Sequence, residues 1–585
     1  MAAEYIEDEN INTLDEEAIM GSQSESDVSD AEDGDYVPDE DASTPGSSSS
    51  LTESDTEESS DESSKQESDP HSDRMSRKGI FWRKTPPKKT KTLSHNILRC
   101  RSGPLSKFTT ISPKDAWDLF ITDNIIEEIL KCTNREGRRV AATKGKEWKA
   151  LKKDEFLAFI GLVLFAGCEK NWDVSIRHMF GDLLHNPLYK ATMAVGRFED
   201  ILHVLCFDDK KTRASRREKD KMAPFRCIWE LFLVNCRKRF SPSDCVTVDE
   251  QLVPFKGRCR FLQYMPRKPA KYGIKIFWLC DARVPYAIDG IVYTGREPGK
   301  EIRKNVGENV VRQLCSGIRN TGRSITTDNF FTSVGLAESL KELGLGLVGT
   351  LRQNKVEIPP VMKPSESRKV YSSEFGFNGS TTMVSYVPKR KKAVVLLSTV
   401  HHDKAVDEDS QKRKPEIITF YNQTKGGVDV VDQMVRTYTC KRKTRRWTMV
   451  LWYNVLDVAT LNAYTFFTSQ HPECYRGVPS ARRHFLKELT LQLITPYMKI
   501  RLENTRGLPK QTVEAMERCG VTKSESLPMG ENEENQLKKR KRCHMCPSSK
   551  DRKTQTYCMK CYVPVCRDHR QKKVICVKCI EGKTK

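Results

Sequence analysis

Apolar residues recur every three or four positions between about residues 112 and 240, and this period predicts a series of amphipathic helices. The first opens on Ser112 and Pro113, residue types that favour a helix start. The longest apolar run, at 156–168, is shorter than the roughly 18 residues that a membrane span needs, so it predicts a buried helix and no membrane partner. The helical stretches are SPKDAWDLFITDNIIEEILKC, EFLAFIGLVLFAG, RFEDILHVLCF and CIWELFLVNCRKRF.

From residue 245 the pattern changes to short β-branched runs, VTVDEQLV, CRFLQYM, GIKIFWLCDA and AIDGIVYTG, which predict strands. Helix, strand, helix and strand then alternate, so the predicted fold class is α/β, a mixed sheet with helices on its faces. Residues 355 to about 415 predict a small β-rich insertion. The alternating segments are 308–318, 324–331, SVGLAESLKEL and 345–352, and long helices return at 447–467 and 481–502.

The charge of the chain is divided between an acidic leader and a basic body. Residues 1–73 hold 25 Asp or Glu and one basic residue, Lys65, a net charge of −24. The whole chain has 99 Lys or Arg and 78 Asp or Glu, so the remainder holds 98 basic and 53 acidic residues, a net +45. This charge predicts a polyanionic partner, of which nucleic acid is the commonest. A basic surface that serves only solubility is the alternative.

The acidic, Ser-rich leader predicts disorder, because it has too little apolar surface to offset the entropy of ordering. SESD at 24–27 and SSDE at 59–62 resemble sites for acid-directed Ser/Thr kinases. We expect this leader to screen the basic body and to restrain non-specific binding to DNA.

Two basic runs, at 77–91 and 537–542, predict nuclear import, although charge runs are commonly just solvated segments. The first is interrupted by Pro and reads as a linker that would also contact phosphates. The N-terminal MAAEYIEDEN has neither the basic start nor the apolar core of a signal peptide. We therefore predict a nuclear protein whose twenty Cys are not a disulfide framework.

Three acids follow apolar runs. Asp249 ends CVTVD, Asp328 ends SITTD, and Asp429 follows KGGV at an expected helix start. Carboxylates at strand ends and at a helix N-terminus can converge at the edge where open α/β sheets bind ligands. Mg²⁺ (or Mn²⁺) would relieve their repulsion, and two ions about 3.5–4 Å apart would bind the attacking and leaving oxygens of a phosphodiester.

Each of these acids also has an ordinary interpretation. Asp429 would stabilise the positive end of a helix dipole. Asp328 would be the N-cap of the following helix, and Asp249 would lie in a surface turn.

Four ligand pairs near the C-terminus, each with two residues between its members, predict two tetrahedral structural Zn²⁺ sites. So small a segment has little core of its own, so we expect the metal to stabilise its fold. Interleaved pairing puts Cys543, Cys546, Cys566 and His569 on one ion and Cys558, Cys561, Cys576 and Cys579 on the other. We predict the interleaved pairing, although spacing alone leaves sequential pairing open. The Lys and Arg of this tail favour contact with DNA phosphates, and a cross-brace that binds histones or other proteins is the alternative function.

Long blocks of the chain resemble the piggyBac transposase family, in the order in which that family has them. The resemblance runs from about residue 96 to the C-terminus. The blocks are VDEQLVPFKGRCRFLQYMPRKPAKYGIKIFWLCDA, TTDNFFTSVGLAESL, LVGTLRQNKVEIP, YNQTKGGVDVVDQM and RKTRRWTMVLWYN.

The resemblance implies an RNase H-like catalytic core interrupted by the β-rich insertion. It also implies a mostly helical dimerisation and DNA-binding domain in two parts and a C-terminal zinc-binding cross-brace domain. The resulting boundaries are 1–95 disordered, 96–244 and 439–520 helical, 245–354 and 416–438 catalytic, 355–415 insertion, 521–542 linker with a basic cluster, and 543–585 zinc-binding.

The family's aspartate triad falls on Asp249, Asp328 and Asp429, and its further acid falls on Asp432. The resemblance implies a homodimer that cleaves double-stranded DNA at TTAA-flanked ends and joins it to target DNA. It also implies two Mg²⁺ (or Mn²⁺) in the catalytic site. The alternative is a domesticated DNA-binding or chromatin protein that has lost transposition.

Two basic stretches near these acids are candidate DNA contacts, because cations bind phosphates and an aromatic ring can stack on a displaced base. Trp447 matches a Trp of the family, although it would equally open the next helix as a core anchor. The stretch MPRKPAKYG would equally form a solvated turn. The candidates are Lys441, Arg442, Lys443, Arg445, Arg446 and Trp447 in CKRKTRRWT, and Arg267, Lys268 and Lys271 in MPRKPAKYG.

Overall fold

The predicted helices before the sheet are present in the computed structural model, which describes residues 74–88, 96–105, 108–181, 186–266, 268–295, 305–503, 507–521, 536–556 and 564–569. Ser112 and Asp115 form a capping box at the first helix, with Pro113 at its first turn. The apolar run at 156–168 is a helix buried on all sides, as predicted. The helices are α1 Pro113–Asp118, α2 Asp123–Thr143, α3 Lys153–Cys168, α4 Ile176–Met179, α5 Leu188–Thr192, α6 Val195–Val204, α7 Arg213–Lys219 and α8 Arg226–Arg239.

Two short strands, β1 Gly103–Pro104 and β2 Phe240–Ser241, pair with each other before the main sheet begins. The main sheet has nine strands in the order β4-β5-β3-β7-β8-β11-β10-β9, and β6 also pairs with β5. The β3–β7 and β7–β8 pairs are parallel and the others are antiparallel, so the sheet is mixed, as predicted. Its strands are β3 Cys245–Pro254, β4 Gln263–Tyr264, β5 Tyr272–Asp281, β6 Ala287–Val292, β7 Ser324–Thr327, β8 Gly346–Leu351, β9 Ser373–Asn378, β10 Thr381–Lys389 and β11 Lys392–Ser398.

The segment 355–415 extends the main sheet instead of forming a layer of its own. Strand β11 pairs antiparallel with β8, with Val395 opposite Leu351, and β10 and β9 follow as further antiparallel neighbours. A second apolar cluster, including Phe375, Phe377 and Tyr386, covers this part of the sheet. The predicted insertion is therefore β-rich, but its strands are continuous with the sheet that carries the acids.

Residues 74–88 fold against the outer edge of this sheet, which differs from the predicted disorder and linker. The backbones of Arg83 and Phe377 exchange two hydrogen bonds of 2.9 Å, so the segment pairs with β9. Trp82 is fully buried, and its Nε1 donates to the carbonyl of Glu357 at 3.1 Å. Strand β9 leaves room for this ring at Gly376, where a Cβ would lie 2.9 Å from the Cβ of Trp82. The segment thereby covers a free strand edge.

The remaining helices pack around the sheet. Helix α13 is buried along most of its length, as expected for a helix that is apolar on every face. These helices are α9 Val306–Leu314, α10 Val334–Glu342, α11 Glu416–Thr424, α12 Gly427–Thr437, α13 Trp447–Gln470, α14 Ala481–Glu503 and α15 Lys510–Arg518. None of the helices in the described segments is long and apolar enough for a transmembrane span.

Residues 522–585 form a second compact unit. In it, strand β12 Gln536–Arg542 pairs antiparallel with β13 Lys553–Thr556. The basic run at 537–542 thus lies in a strand, where sequence analysis predicted a linker with an import signal.

Candidate active site and metal cluster

Two of the three predicted acids emerge side by side from neighbouring parallel strands. The last aligned pair of β3 and β7 is Val248 and Thr327, so Asp249 and Asp328 are the next residues on the two strands. Strand β3 continues to Pro254, which places Asp249 in the middle of a strand and not at the predicted strand end or surface turn. Asp328 does not cap the following helix, because Ser333 is that N-cap.

The third acid, Asp429, lies in the first turn of α12, as predicted, and is exposed. The second glycine of the pair, Gly427, allows this helix to start directly on the sheet. A Cβ on Gly427 would lie 2.7 Å from the Oγ1 of Thr247 and 2.8 Å from the carbonyl oxygen of Asp281, distances too short for any side chain. Asp429 is near enough to Asp249 to raise the pKa of that residue.

The site is strongly anionic and partly withdrawn from water. Burial raises the pKa of Asp249 to about 8, and the neighbouring Glu250, Asp328 and Asp429 contribute in that order. Burial also raises the pKa of Asp328, although the N–H of Phe330, which donates to its Oδ1 at 2.9 Å, acts in the opposite direction.

Half-buried carboxylates that repel one another fit hard divalent cations, which bind oxygen ligands and neutralise their charge. The carboxylate oxygens of the three acids do not all lie within 4.8 Å of one another. In the described segments, only the C-terminal cysteine cluster brings three or more ligand atoms that close together. The donor types at Asp249, Asp328 and Asp429 therefore suit Mg²⁺ or Mn²⁺.

Asp432 contacts the sheet one turn further along α12. Its Oδ1 accepts a hydrogen bond from Gln251 at 2.8 Å, and its Oδ2 lies 2.7 Å from Arg436. Gln251 in turn accepts from the indole N–H of Trp278 at 2.9 Å and from Asn454 at 3.2 Å. Both oxygens of Asp432 thus have protein partners, and a role as fourth metal ligand stays a prediction.

Three residues beside the triad were not predicted from the sequence: Glu250, Lys275 and Tyr421. The Nζ of Lys275 lies 3.8 Å from Glu250 and about equally close to two aromatic rings, at 4.8 Å from Phe277 and 4.9 Å from Phe330. Burial lowers the pKa of Lys275, while Glu250, Asp328 and Asp249 oppose that shift. The signal was a lone Lys inside the apolar run GIKIFWLCDA.

Tyr421 on α11 is the third missed residue. Burial raises the pKa of its hydroxyl, a hydrogen bond with Thr350 lowers it, and the charges of Asp328, Asp249 and Asp429 raise it further. The phenol therefore lies in the electrostatic field of all three acids. No pattern in the sequence distinguished it from an ordinary helix residue.

Three of the basic candidates bind backbone carbonyls of the protein itself. Lys441 donates to Pro254 at the end of β3. Arg442 is buried and donates to the carbonyls of Asn171, at 3.1 Å, and Val174. These bonds connect the segment after α12 to the sheet and to the loop after α3.

Arg446 donates to the carbonyls of Leu202, at 3.2 Å, His203, at 3.3 Å, and Leu205. These carbonyls end α6, where a cation also complements the helix dipole. Lys443 and Arg445, by contrast, are exposed. Phosphate contact thus fits these two residues better than Lys441, Arg442 and Arg446, which have internal partners.

Trp447 is the first residue of α13 and is half-buried, with its ring edge-to-face against Phe261 at 5.1 Å. This contact fits the core-anchor interpretation, and stacking on DNA stays a prediction. Lys268 is half-buried and Lys271 is exposed. Arg267 lies outside the described residues.

In the second unit, four predicted zinc ligands lie together: Cys543, Cys546, Cys566 and His569. The sulfurs of Cys546 and Cys566 are 3.7 Å apart, and the Nδ1 of His569 is 3.8 Å from Cys543. Tetrahedral Zn–S bonds of about 2.3 Å separate two sulfurs by about 3.8 Å, so the cluster fits Zn²⁺. This grouping is the first half of the interleaved pairing. Cys558, Cys561, Cys576 and Cys579 lie outside the described residues.

Known proteins are similar to this chain over much of its length. The family model described as Transposase IS4 matches residues 112–464. PiggyBac transposable element-derived protein 3 of Homo sapiens is 27% identical over 366 residues, which cover 59% of this chain and 60% of that protein. PiggyBac transposable element-derived protein 2 of Homo sapiens is 23% identical over 382 residues, which cover 61% of this chain and 62% of that protein. The chain thus spans about 60% of the length of each of these two relatives.

A solved structure is also similar. It is the cryo-EM structure of the piggyBac transposase synaptic complex with hairpin DNA, which is 37% identical in sequence with a TM-score of 0.66. The match covers 80% of this chain and 98% of the solved chain.

Proposed function

We propose a function from one premise: this chain belongs to the piggyBac-type family of transposases. The proposed activity is divalent-metal-dependent cleavage of double-stranded DNA and transfer of the freed strand. The observation that carries this proposal is the placement of Asp249 and Asp328 directly after the aligned Val248–Thr327 pair, with Asp429 presented by the helix above them.

Asp249, Asp328 and Asp429 would hold the two metal ions. When bound, the ions would neutralise the carboxylates and stabilise charge on the attacking and leaving oxygens of the phosphodiester, so no protein nucleophile is needed. The chain itself supplies the positions of the three carboxylates. Lys275 holds Glu250 beside them and limits the local negative charge.

The finer features of the function belong to the same proposal. Residues 245–354 and 416–438 are an RNase H-like core interrupted by the insertion 355–415, and the cognate DNA ends are flanked by TTAA. The protein works as a homodimer in the nucleus, two Zn²⁺ stabilise residues 543–585, and an acid-directed Ser/Thr kinase modifies the leader. The similarity to a transposase solved as a synaptic complex with DNA supports the DNA partner.

The test is strand nicking of TTAA-flanked DNA by the purified full chain with Mg²⁺ or Mn²⁺. We expect metal-dependent nicking by the wild type and its loss in Asp328→Asn. Asp154→Asn, which changes an exposed acid in the first turn of α3, is the matched control and should nick normally. Equal nicking by the wild type and Asp328→Asn would refute the assignment.

A second candidate function is DNA binding without turnover. The curated relatives are described as transposable element-derived proteins, and that origin favours this candidate. Salt-dependent binding of DNA by a wild type that never nicks it would support this candidate against the enzyme.

A further inference from the structure

Three buried threonines, Thr247, Thr326 and Thr424, connect the junction between α11 and α12 to the two central parallel strands, and we call them the threonine lattice. Thr247 on β3 and Thr326 on β7 are aligned with each other across the parallel pair. Thr424 is the last residue of α11. Each of the three is at most 2% exposed, so their hydroxyls need protein partners.

The hydrogen bonds of the lattice have a fixed direction. The hydroxyl of Thr247 donates to the carbonyl oxygen of Thr424 at 2.6 Å. The hydroxyl of Thr424 donates its one proton to the carbonyl oxygen of Phe420 at 2.8 Å. The 2.8 Å contact between the hydroxyls of Thr326 and Thr424 must therefore have Thr326 as its donor, because each hydroxyl carries a single proton.

Each threonine of the lattice precedes one of the three acids by a few residues along the chain. Thr247 precedes Asp249 by two residues, and the period of a strand puts both side chains on one face. Thr326 precedes Asp328 by the same interval. Thr424 is followed by the glycine pair and then by Asp429, so the junction held by the lattice is the start of the helix that presents the third acid.

We propose that Thr424 is a positioning residue, whose bonds to Thr247 and Thr326 hold Asp429 against Asp249 and Asp328 and so set the affinity of the triad for divalent cations. This inference rests on the proposed function of the site. Neutral hydroxyls suit the task, because three carboxylates by themselves repel one another. Gly427 lets α12 approach the sheet closely, and the hydrogen bonds of Thr424 fix the start of α12 relative to β3 and β7.

Thr424→Val keeps the shape of the side chain and removes its hydroxyl. Partners that orient metal ligands typically change metal affinity by about 10–100-fold when they are lost. Thr424 acts at one further remove from the metal, so we expect the affinity to fall and the Mn²⁺ midpoint to rise by about 5–20-fold. Thr424→Ser keeps the hydroxyl and should restore most of the affinity.

The experiment titrates Mn²⁺ against the purified full chain and follows the rise in Tm, and the Mn²⁺ midpoint is the Kd fitted to that rise. Thr382→Val is the matched control, because Thr382 is 1% exposed on β10 and donates one hydrogen bond, to the carbonyl oxygen of His401 at 2.6 Å. Both valine variants should lower the metal-free Tm, but only Thr424→Val should shift the Mn²⁺ midpoint. Nicking measured against Mn²⁺ concentration should shift in parallel.

Thr326→Val tests the same lattice if Thr424→Val does not fold, because it removes the hydroxyl that donates to Thr424 at 2.8 Å, and it should raise the Mn²⁺ midpoint as well. Unchanged Mn²⁺ midpoints in the variants that fold, beside a normal response of the wild type, would overturn the positioning role alone. A wild type whose Tm and nicking do not respond to Mn²⁺ would instead overturn the proposed metal site itself. The two failures are therefore distinguishable.

Discussion

Replacing Asp249 with Asn should make the metal-free protein more stable. Burial and the acids Glu250, Asp328 and Asp429 raise the pKa of Asp249 to about 8, so the fold disfavours the charged carboxylate. Asn carries no charge and keeps an oxygen that can accept the hydrogen bond that Glu250 N–H donates to Asp249 Oδ1 at 2.7 Å. The substitution therefore removes the repulsion while retaining this local contact.

The sign of the effect follows from proton binding. Between about pH 4 and pH 8 the folded protein retains a proton on Asp249 that the unfolded chain has lost, so this group lowers the stability progressively as the pH rises. At pH 7.5 the difference in pKa corresponds to about 5 kcal/mol. Looser packing of Asn offsets part of this, and we expect a net gain of about 2–4 kcal/mol at pH 7.5 and a smaller gain at pH 5.5.

The assay is thermal unfolding in chelator at both pH values, with Asp154→Asn as the control. One kcal/mol shifts the Tm of a domain of 150–250 residues by about 2–4 °C and that of a longer unit by less, so a rise of about 2–6 °C is expected at pH 7.5. Added Mn²⁺ should raise the Tm of the wild type and leave that of Asp249→Asn almost unchanged. A variant that is no more stable than the wild type at pH 7.5 would refute this reasoning.

Four further substitutions test the basic run, the docked segment 74–88 and the zinc cluster. Arg446→Ala should lower the Tm and leave the salt dependence of DNA binding unchanged, whereas Arg445→Ala should reduce the slope of log K against log salt by about 1 with little change in Tm. Trp82→Ala should destabilise the docking of residues 74–88 by about 3–5 kcal/mol, seen as faster limited proteolysis in that segment. Cys566→Ser should lose one of two bound Zn²⁺ by metal analysis; retention of both would contradict the grouping of Cys566 with His569.

Local sequence patterns were enough to predict helices and strands whose burial or ends depend on residues within the segment itself. The long apolar runs indicated α3 and α13, and Ser112 with Pro113 indicated the start of α1. The order of strands and helices after residue 245 was also enough to predict a mixed sheet. Hydrophobic periodicity expresses which side of an element is buried, and that property is written into the segment itself.

The predicted strand VTVDEQLV already runs through Asp249, but the site prediction placed this acid at the end of the shorter run CVTVD. Strand β3 continues through Glu250 and Gln251, since Gln251 is buried by hydrogen bonds with Trp278, Asn454 and Asp432. Those partners are distant in sequence, so no window around Asp249 reveals them. The three acids were found by motif, and their mutual placement needed the fold.

Charge runs misled for a related reason. Arg442 and Arg445 belong to one basic run, but Arg442 is buried against carbonyls and Arg445 is exposed. Composition gives the number of cations in a run and not the acceptors they meet. Residues 74–88 pose the same difficulty, because the Gly376 position that accommodates Trp82 lies far along the chain.

The loss of folding stability caused by burying the carboxylates of Asp249 and Asp328 bears on whether the site is still used. Asp249 and Asp328 have raised pKa values because the fold disfavours their charges, so each is less stable in place than a neutral residue of similar size would be. The threonine lattice holds the junction between α11 and α12 with hydrogen bonds between neutral groups, which stabilise the fold whether or not a metal is bound. A protein that only binds DNA would fold better with Asn at these positions and the same lattice. Carboxylates at these two positions therefore favour the proposed metal chemistry over a fold kept for binding alone.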